Sequence, residues 1–251
     1  GRPPMVRIAG ELVASGFESE LTGKDTASLV DSILTDAQRK RFKEEHELDF
    51  SVEIPNVSRF RVNAFTQQGA VAAVFRVIGD RIRSIEELGL PPSLGDFAKL
   101  QRGLVCVTGP TGCGKSTTLA AMINLINRER NVHIVTIEDP IEFVHPHLQA
   151  TVNQRELGSD TLSFPRALKS VLREDPDVIL VGEMRDLETI AAALTLAETG
   201  HLVLSTLHTQ DAASTVDRII DVFPPYQQQQ IRVMLAATLK GVVSQFLLPK
   251  A

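Results

Sequence analysis

Hydrophobic positions along this chain follow two rhythms. Over residues 1–88 the apolar runs are short and interleaved with polar positions: Met5–Ala9 and Glu11–Val13 around Gly10, then Leu48–Ile54, Arg59–Phe65 and Val71–Ile78, all read as strands. Ala27–Leu34 and Asp36–Glu47 carry a helical pattern, the second opened by Thr35 as an N-cap. Thr66-Gln-Gln-Gly69 separates the last two strands and predicts a hairpin. The result is a small α+β unit. Gly89-Leu-Pro-Pro-Ser-Leu-Gly95, with two prolines and two glycines, predicts a linker over 89–96. From 97 to 251 the rhythm changes. Apolar strands at 104–108, 132–137, 178–181 and 201–205 alternate with helices at 116–130, 163–173, 186–199 and 211–221, and a last helical stretch is expected from Gln227 to Leu247. Strand–helix alternation predicts an α/β fold whose parallel sheet is covered on both faces.

Composition narrows the class without naming a function. The 251 residues are 43% apolar and 23% charged, an ordinary globular balance, and no run approaches the 18 apolar residues of a membrane span. Net charge is −5, spread evenly: 12 basic and 14 acidic residues up to 95, then 14 and 17. With one Tyr and no Trp as well, neither part reads as a nucleic-acid module. Cys106 falls on an expected buried strand and Cys113 in a tight loop, so both are expected as reduced thiols of a cytoplasmic protein. The opening Gly1-Arg-Pro-Pro-Met5 and the closing Leu248-Pro-Lys-Ala251 carry no capping signal, and the chain is expected to be a piece of a longer one.

The strongest chemical signal is Gly109, Pro110, Thr111, Gly112, Cys113, Gly114, Lys115, Ser116 and Thr117, which fits G-x-x-x-x-G-K-[ST]. Glycines at this spacing let successive N–H groups turn inward around a triphosphate. Lys115 then reaches the β- and γ-phosphates, and the Ser116 hydroxyl is suited to Mg²⁺. The strand Leu104–Thr108 precedes it, and Leu119, Met122, Ile123 and Ile126 make an apolar helix face after it. The flanks turn a spacing match into a nucleotide site.

Acidic residues follow two later strands. Glu138, Asp139 and Glu142 come after the 132–137 strand, where open parallel sheets bind ligands, and Glu138 or Glu142 is the competing candidate for general base; a solvated acidic turn is the alternative. Val178–Val181 runs into Gly182-Glu183, so Glu183 is expected to hold Mg²⁺ through water and to orient the attacking water. Arg185 and Asp186 are placed to cap the next helix. His201 and His208 bracket the following strand and suggest γ-phosphate sensors, with a purely structural role open for His201. Arg61 and Arg76 sit on the hairpin strands and alone mean little.

Together these motifs resemble the secretion-superfamily ATPases, and within them the branch that retracts type IV pili. Six segments carry the resemblance in order: 109–118, 136–142, 152–156, 172–178, 181–188, and 197–201 with 206–209. It implies a RecA-like P-loop NTPase core after a smaller PAS-like domain, and ATP hydrolysis with Mg²⁺. It also implies a homohexameric ring working on an inner-membrane platform protein from the cytoplasm, with no nucleic acid. By that resemblance Glu138, Asp139 and Glu142 form an acidic box and His201 and His208 a histidine box. Arg61 and Arg76 match paired arginines that reach nucleotide from the N-terminal domain, in trans in a ring. Cys113 departs from the usual serine. The four-cysteine zinc segment of assembly and type II secretion ATPases is missing, which favours retraction over those alternatives.

Overall fold

The computed structural model describes residues 3–8, 10–17, 19–55, 57–79 and 81–248. Ala9, at the end of the first expected strand, and Pro249-Lys250-Ala251 lie outside them. Contacts divide the chain into Gly1–Ile78 and Gly79–Ala251.

In the first unit, β1 (Met5–Ile8) and β2 (Glu11–Ala14) make an antiparallel pair. Two capping boxes then start helices. The Thr22 hydroxyl accepts the Asp25 N–H while Asp25 takes the Thr22 N–H, opening α1 (Gly23–Ile33); Thr35 and Gln38 do the same for α2 (Asp36–Glu45). His46, left-handed at φ 63°, ends α2 and turns the chain into β3 (Glu47–Ile54), so Glu47 is strand where the periodicity predicted helix. β4 (Ser58–Gln67) and β5 (Ala70–Ile78) join through Gln68 and Gly69, both at positive φ, the two-residue turn that matches strand twist. The antiparallel order is β3-β4-β5. Leu48, Phe50, Val62 and Ala64 bury one face against Val30 and Phe42, which by alternation leaves Arg59, Arg61 and Asn63 on the other.

The second unit begins before the expected linker ends. Within 89–96 the chain already enters α3 (Ser93–Ala98), and Ile85, Leu94 and Ala98 are buried in the second unit's core. Two prolines did not keep this segment apart, because Pro91 and Pro92 precede a helix that Leu94 anchors. Then follow β6 (Gly103–Thr108), α4 (Lys115–Glu129), β7 (His133–Glu138), β8 (Thr151–Glu156), α5 (Phe164–Val171), β9 (Val178–Val181), α6 (Leu187–Glu198), β10 (Leu202–Leu207), α7 (Ala212–Asp221), α8 (Pro225–Thr238) and β11 (Leu239–Ser244). The sheet is all parallel in the order β11-β6-β10-β9-β7-β8. Strand residues divide by parity between two cores. Cys106, Ile137, Ile179 and Val203 pack with α5, α6, α7 and α8, while Val105, Val107, Leu180 and Leu204 pack with α3 and α4. Both faces are covered, as parallel sheets require.

The helix predicted over Gln227–Leu247 is instead α8 followed by β11. Gly241, Val242 and Val243 disfavour helix, and β11 pairs with β6. Gly241 is needed there: a Cβ would overlap the Phe97 ring of α3.

Candidate active site

Parallel strands all end on one edge, so the loops after β6, β7, β9 and β10 meet there. The loop after β6 is the phosphate-binding candidate. Gly109, Gly112 and Gly114 adopt φ of 140°, 81° and 94°. At Gly109 a Cβ would overlap the Gln245 carbonyl oxygen, so glycine is required by conformation and by space. α4 starts at Gly114 with no side-chain cap, which leaves its first N–H groups available to an anion. Lys115 is buried and donates Nζ hydrogens to the carbonyls of Gly109 (2.8 Å) and Pro110 (3.1 Å). Pro110, Thr111 and Gly112 are exposed at the rim, and Ser116 and Thr117 are half-buried on the first turn of α4. Cys113 and Cys106 are buried free thiols, and burial pushes Cys106 up to about 12.

Behind the loop lies a cavity of about 30 Å³ bordered by Ser116, Glu138, Phe143, His145, Gly182 and Thr206. Burial raises Glu138 above the ordinary carboxylate range, against hydrogen bonds from Thr136 Oγ1 (2.6 Å), Gln154 Nε2 (3.2 Å) and the Glu142 backbone that favour its charge. Glu142 is exposed beside it. Register explains Gln154: β8 pairs with β7 so that Gln154 faces Thr136.

Glu183, after β9, behaves oppositely. Burial alone would raise it, but the Arg185 hydrogen bond and the charges of His208 and Arg185 outweigh that and hold it below its usual range. Arg185 reaches Glu183 Oε2 at 2.7 Å, and His208 Nε2 lies 3.2 Å from Oε1. Asp186 accepts the Thr189 N–H and caps α6, as expected; Arg185 instead pairs with Glu183.

The two histidines separate. His208 joins Glu183 at the carboxyl edge. His201 precedes β10 at the opposite edge, where its Nδ1 lies 2.9 Å from the Leu196 carbonyl at the end of α6. Arg61 and Arg76 belong to the first unit and face each other across β4 and β5. Like charges in directly opposed positions repel, and neither forms an ion pair with a described residue. Sequence reasoning missed three side chains. His145 interrupts the apolar run after Pro140; Gln154 was part of a motif without a role; Gln245 accepts from Thr118 Oγ1 at 2.9 Å under the loop but was hidden in an expected helix.

Among the described residues no helix is long and apolar enough to cross a membrane. Residues 31–251 match the family described as type II/IV secretion system protein. The chain is 56% identical over 245 residues to the twitching motility protein of Neisseria gonorrhoeae, covering 98% of this chain and 65% of that one. It is 54% identical over 250 residues to the type IV pilus retraction ATPase PilT of Pseudomonas aeruginosa, covering all of this chain and 72% of that one. A crystal structure of the pilus retraction motor PilT with bound ADP superposes with a TM-score of 0.96 at 50% identity, over 100% of this chain and 73% of the other. The chain therefore spans roughly two thirds to three quarters of the length of these relatives.

Proposed function

This chain belongs to the type II/IV secretion system protein family, and from that premise we propose that it is the motor ATPase of a retracting type IV pilus, the basis of twitching motility. The observation that carries the reading is the shared cavity of Ser116, on the first turn of α4, with Glu138, Gly182 and Thr206 from three strand ends, behind a loop suited to phosphate.

In this reading ATP binds across the 109–117 loop. Lys115 gives up the Gly109 and Pro110 carbonyls for phosphate oxygens, and the uncapped N–H groups of α4 complete the cradle. The residues fit Mg²⁺, because Ser116 and an ionised Glu183 are hard oxygen donors. When bound, the metal neutralises charge on the phosphates. The two carboxylates have environments that push them apart, which separates their work. Glu183 stays charged and orients, whereas Glu138, made more basic by burial, accepts the proton of the attacking water. Glu142 supports Glu138 through its backbone N–H, and His208 links Glu183 to the end of β10.

The first unit supplies Arg61 and Arg76, whose opposed charges would be relieved by a nucleotide phosphate from a neighbouring subunit. We assign the chain to a homohexamer of RecA-like cores and PAS-like domains, acting from the cytoplasm on the inner-membrane platform protein. Deleting the gene should leave cells hyperpiliated and non-motile. Cells without pili would mark an assembly ATPase instead.

A further inference from the structure

One polar side chain in the second unit has no settled place in this scheme. His145 is 7% exposed and borders the cavity behind the phosphate loop. Its ring makes no hydrogen bond with any described residue, and Nδ1 is sealed from solvent without a partner. Its backbone is held instead, the His145 N–H donating to Gln154 Oε1 at 2.7 Å, while Gln154 Nε2 donates to Glu138 at 3.2 Å and to the Phe143 carbonyl at 2.8 Å. One amide thus ties the His145 backbone to the Glu138 carboxylate.

The ring's Nε2 also lacks a protein partner but is not sealed, so a small occupant of the cavity can reach it, while Nδ1 stays bare. Burial pushes His145 down to about 4, so the ring is neutral near pH 7, with one nitrogen a donor and the other an acceptor. A buried N–H without a partner is rarer than a bare acceptor, so the sealed Nδ1 is the bare nitrogen and Nε2 carries the hydrogen. Thr206 Oγ1 donates its hydrogen to the Gly182 carbonyl at 2.6 Å, and Glu138 is the one carboxylate among the residues bordering the cavity. A volume of about 30 Å³ admits one or two waters at about 10–15 Å³ each.

We propose that the cavity is a built water site, in which an ordered water accepts from His145 Nε2 and donates to the Glu138 carboxylate, making His145 a positioning residue for Glu138. The role in catalysis rests on the ATPase reading; the water does not. The bound water adds a donor to the charged form of Glu138 and fixes the carboxylate's direction, so that its other lone pairs face the phosphate loop.

The test uses the full-length protein and three readouts. A crystal structure at atomic resolution should show density within hydrogen-bonding distance of both His145 and Glu138; a dry cavity overturns the proposal. His145→Phe should keep ADP affinity and the KM for ATP while kcat falls about tenfold or more, the loss that misdirecting a catalytic group brings. The acid limb of its kcat profile should move to higher pH, because Glu138 loses a donor to its charged form. His145→Gln, which restores an N–H donor, should recover most of kcat. Unchanged kcat and pH profile in His145→Phe, or equal impairment of both variants, would overturn the positioning role. If the unaltered protein fails to turn over ATP, the ATPase reading falls, and the density alone still decides the water.

Discussion

At the residue scale the site is organised by how each charge is housed. Glu138 and Glu183 are chemically identical, yet burial raises one while Arg185 and His208 hold the other down. His145 shows the same physics in a cation. Its folded value near 4 lies below the ordinary 6.5, so between those limits the unfolded chain binds a proton that the folded one refuses. Stability is therefore full above about 6.5 and falls as pH drops towards 4, by up to about 3 kcal/mol at the acid end. His145→Gln should flatten that part of the curve in denaturant melts taken across the range; an unchanged slope would mean the ring titrates normally. The phosphate loop was legible from sequence because its chemistry is local, with Gly109, Lys115 and Ser116 within one turn and a helix. His145 was not, because a lone histidine in a linear sequence carries no sign of the cavity it borders. His201 and His208 looked alike as bracketing residues, and only the direction of β10 separates them, one at each edge of the sheet.

At the element scale, the strand–helix alternation read from periodicity is the fold observed, and its failures share a cause. β8 is polar because it is an edge strand, so Thr151–Glu156 has no apolar rhythm to reveal it. β11 pairs with β6, far away in sequence, and local pattern cannot report such a partner. The linker failed likewise: Leu94 reads as a loop residue until the core that buries it is known. Gly241 gives this level its test. Gly241→Ala places a methyl group against Phe97 and should cost about 1–3 kcal/mol in thermal or denaturant unfolding, the usual range for overpacking. Adding Phe97→Leu should return part of that loss. An unaffected single variant would show that α3 and β11 are less tightly apposed than described.

At the scale of the whole molecule, one unit carries the phosphate loop and its acids and the other a pair of opposed arginines, which the proposal brings to the nucleotide of a neighbouring subunit. Removing Arg61 or Arg76 relieves like-charge repulsion, so the melting temperature should hold or rise. Turnover by the assembled protein should nevertheless fall about a thousandfold, the scale of an arginine supplied across a subunit boundary. Full turnover in both variants would remove the arginines from the site. The proposed function rests throughout on hydrolysis of ATP at the carboxyl edge of the parallel sheet. The most direct measurement is phosphate release from MgATP by the full-length protein, beside Lys115→Ala and Glu183→Gln. Steady turnover is expected of the unaltered protein, loss of nucleotide binding in Lys115→Ala, and nucleotide bound but scarcely hydrolysed in Glu183→Gln. Turnover undiminished in both variants would contradict the proposed function.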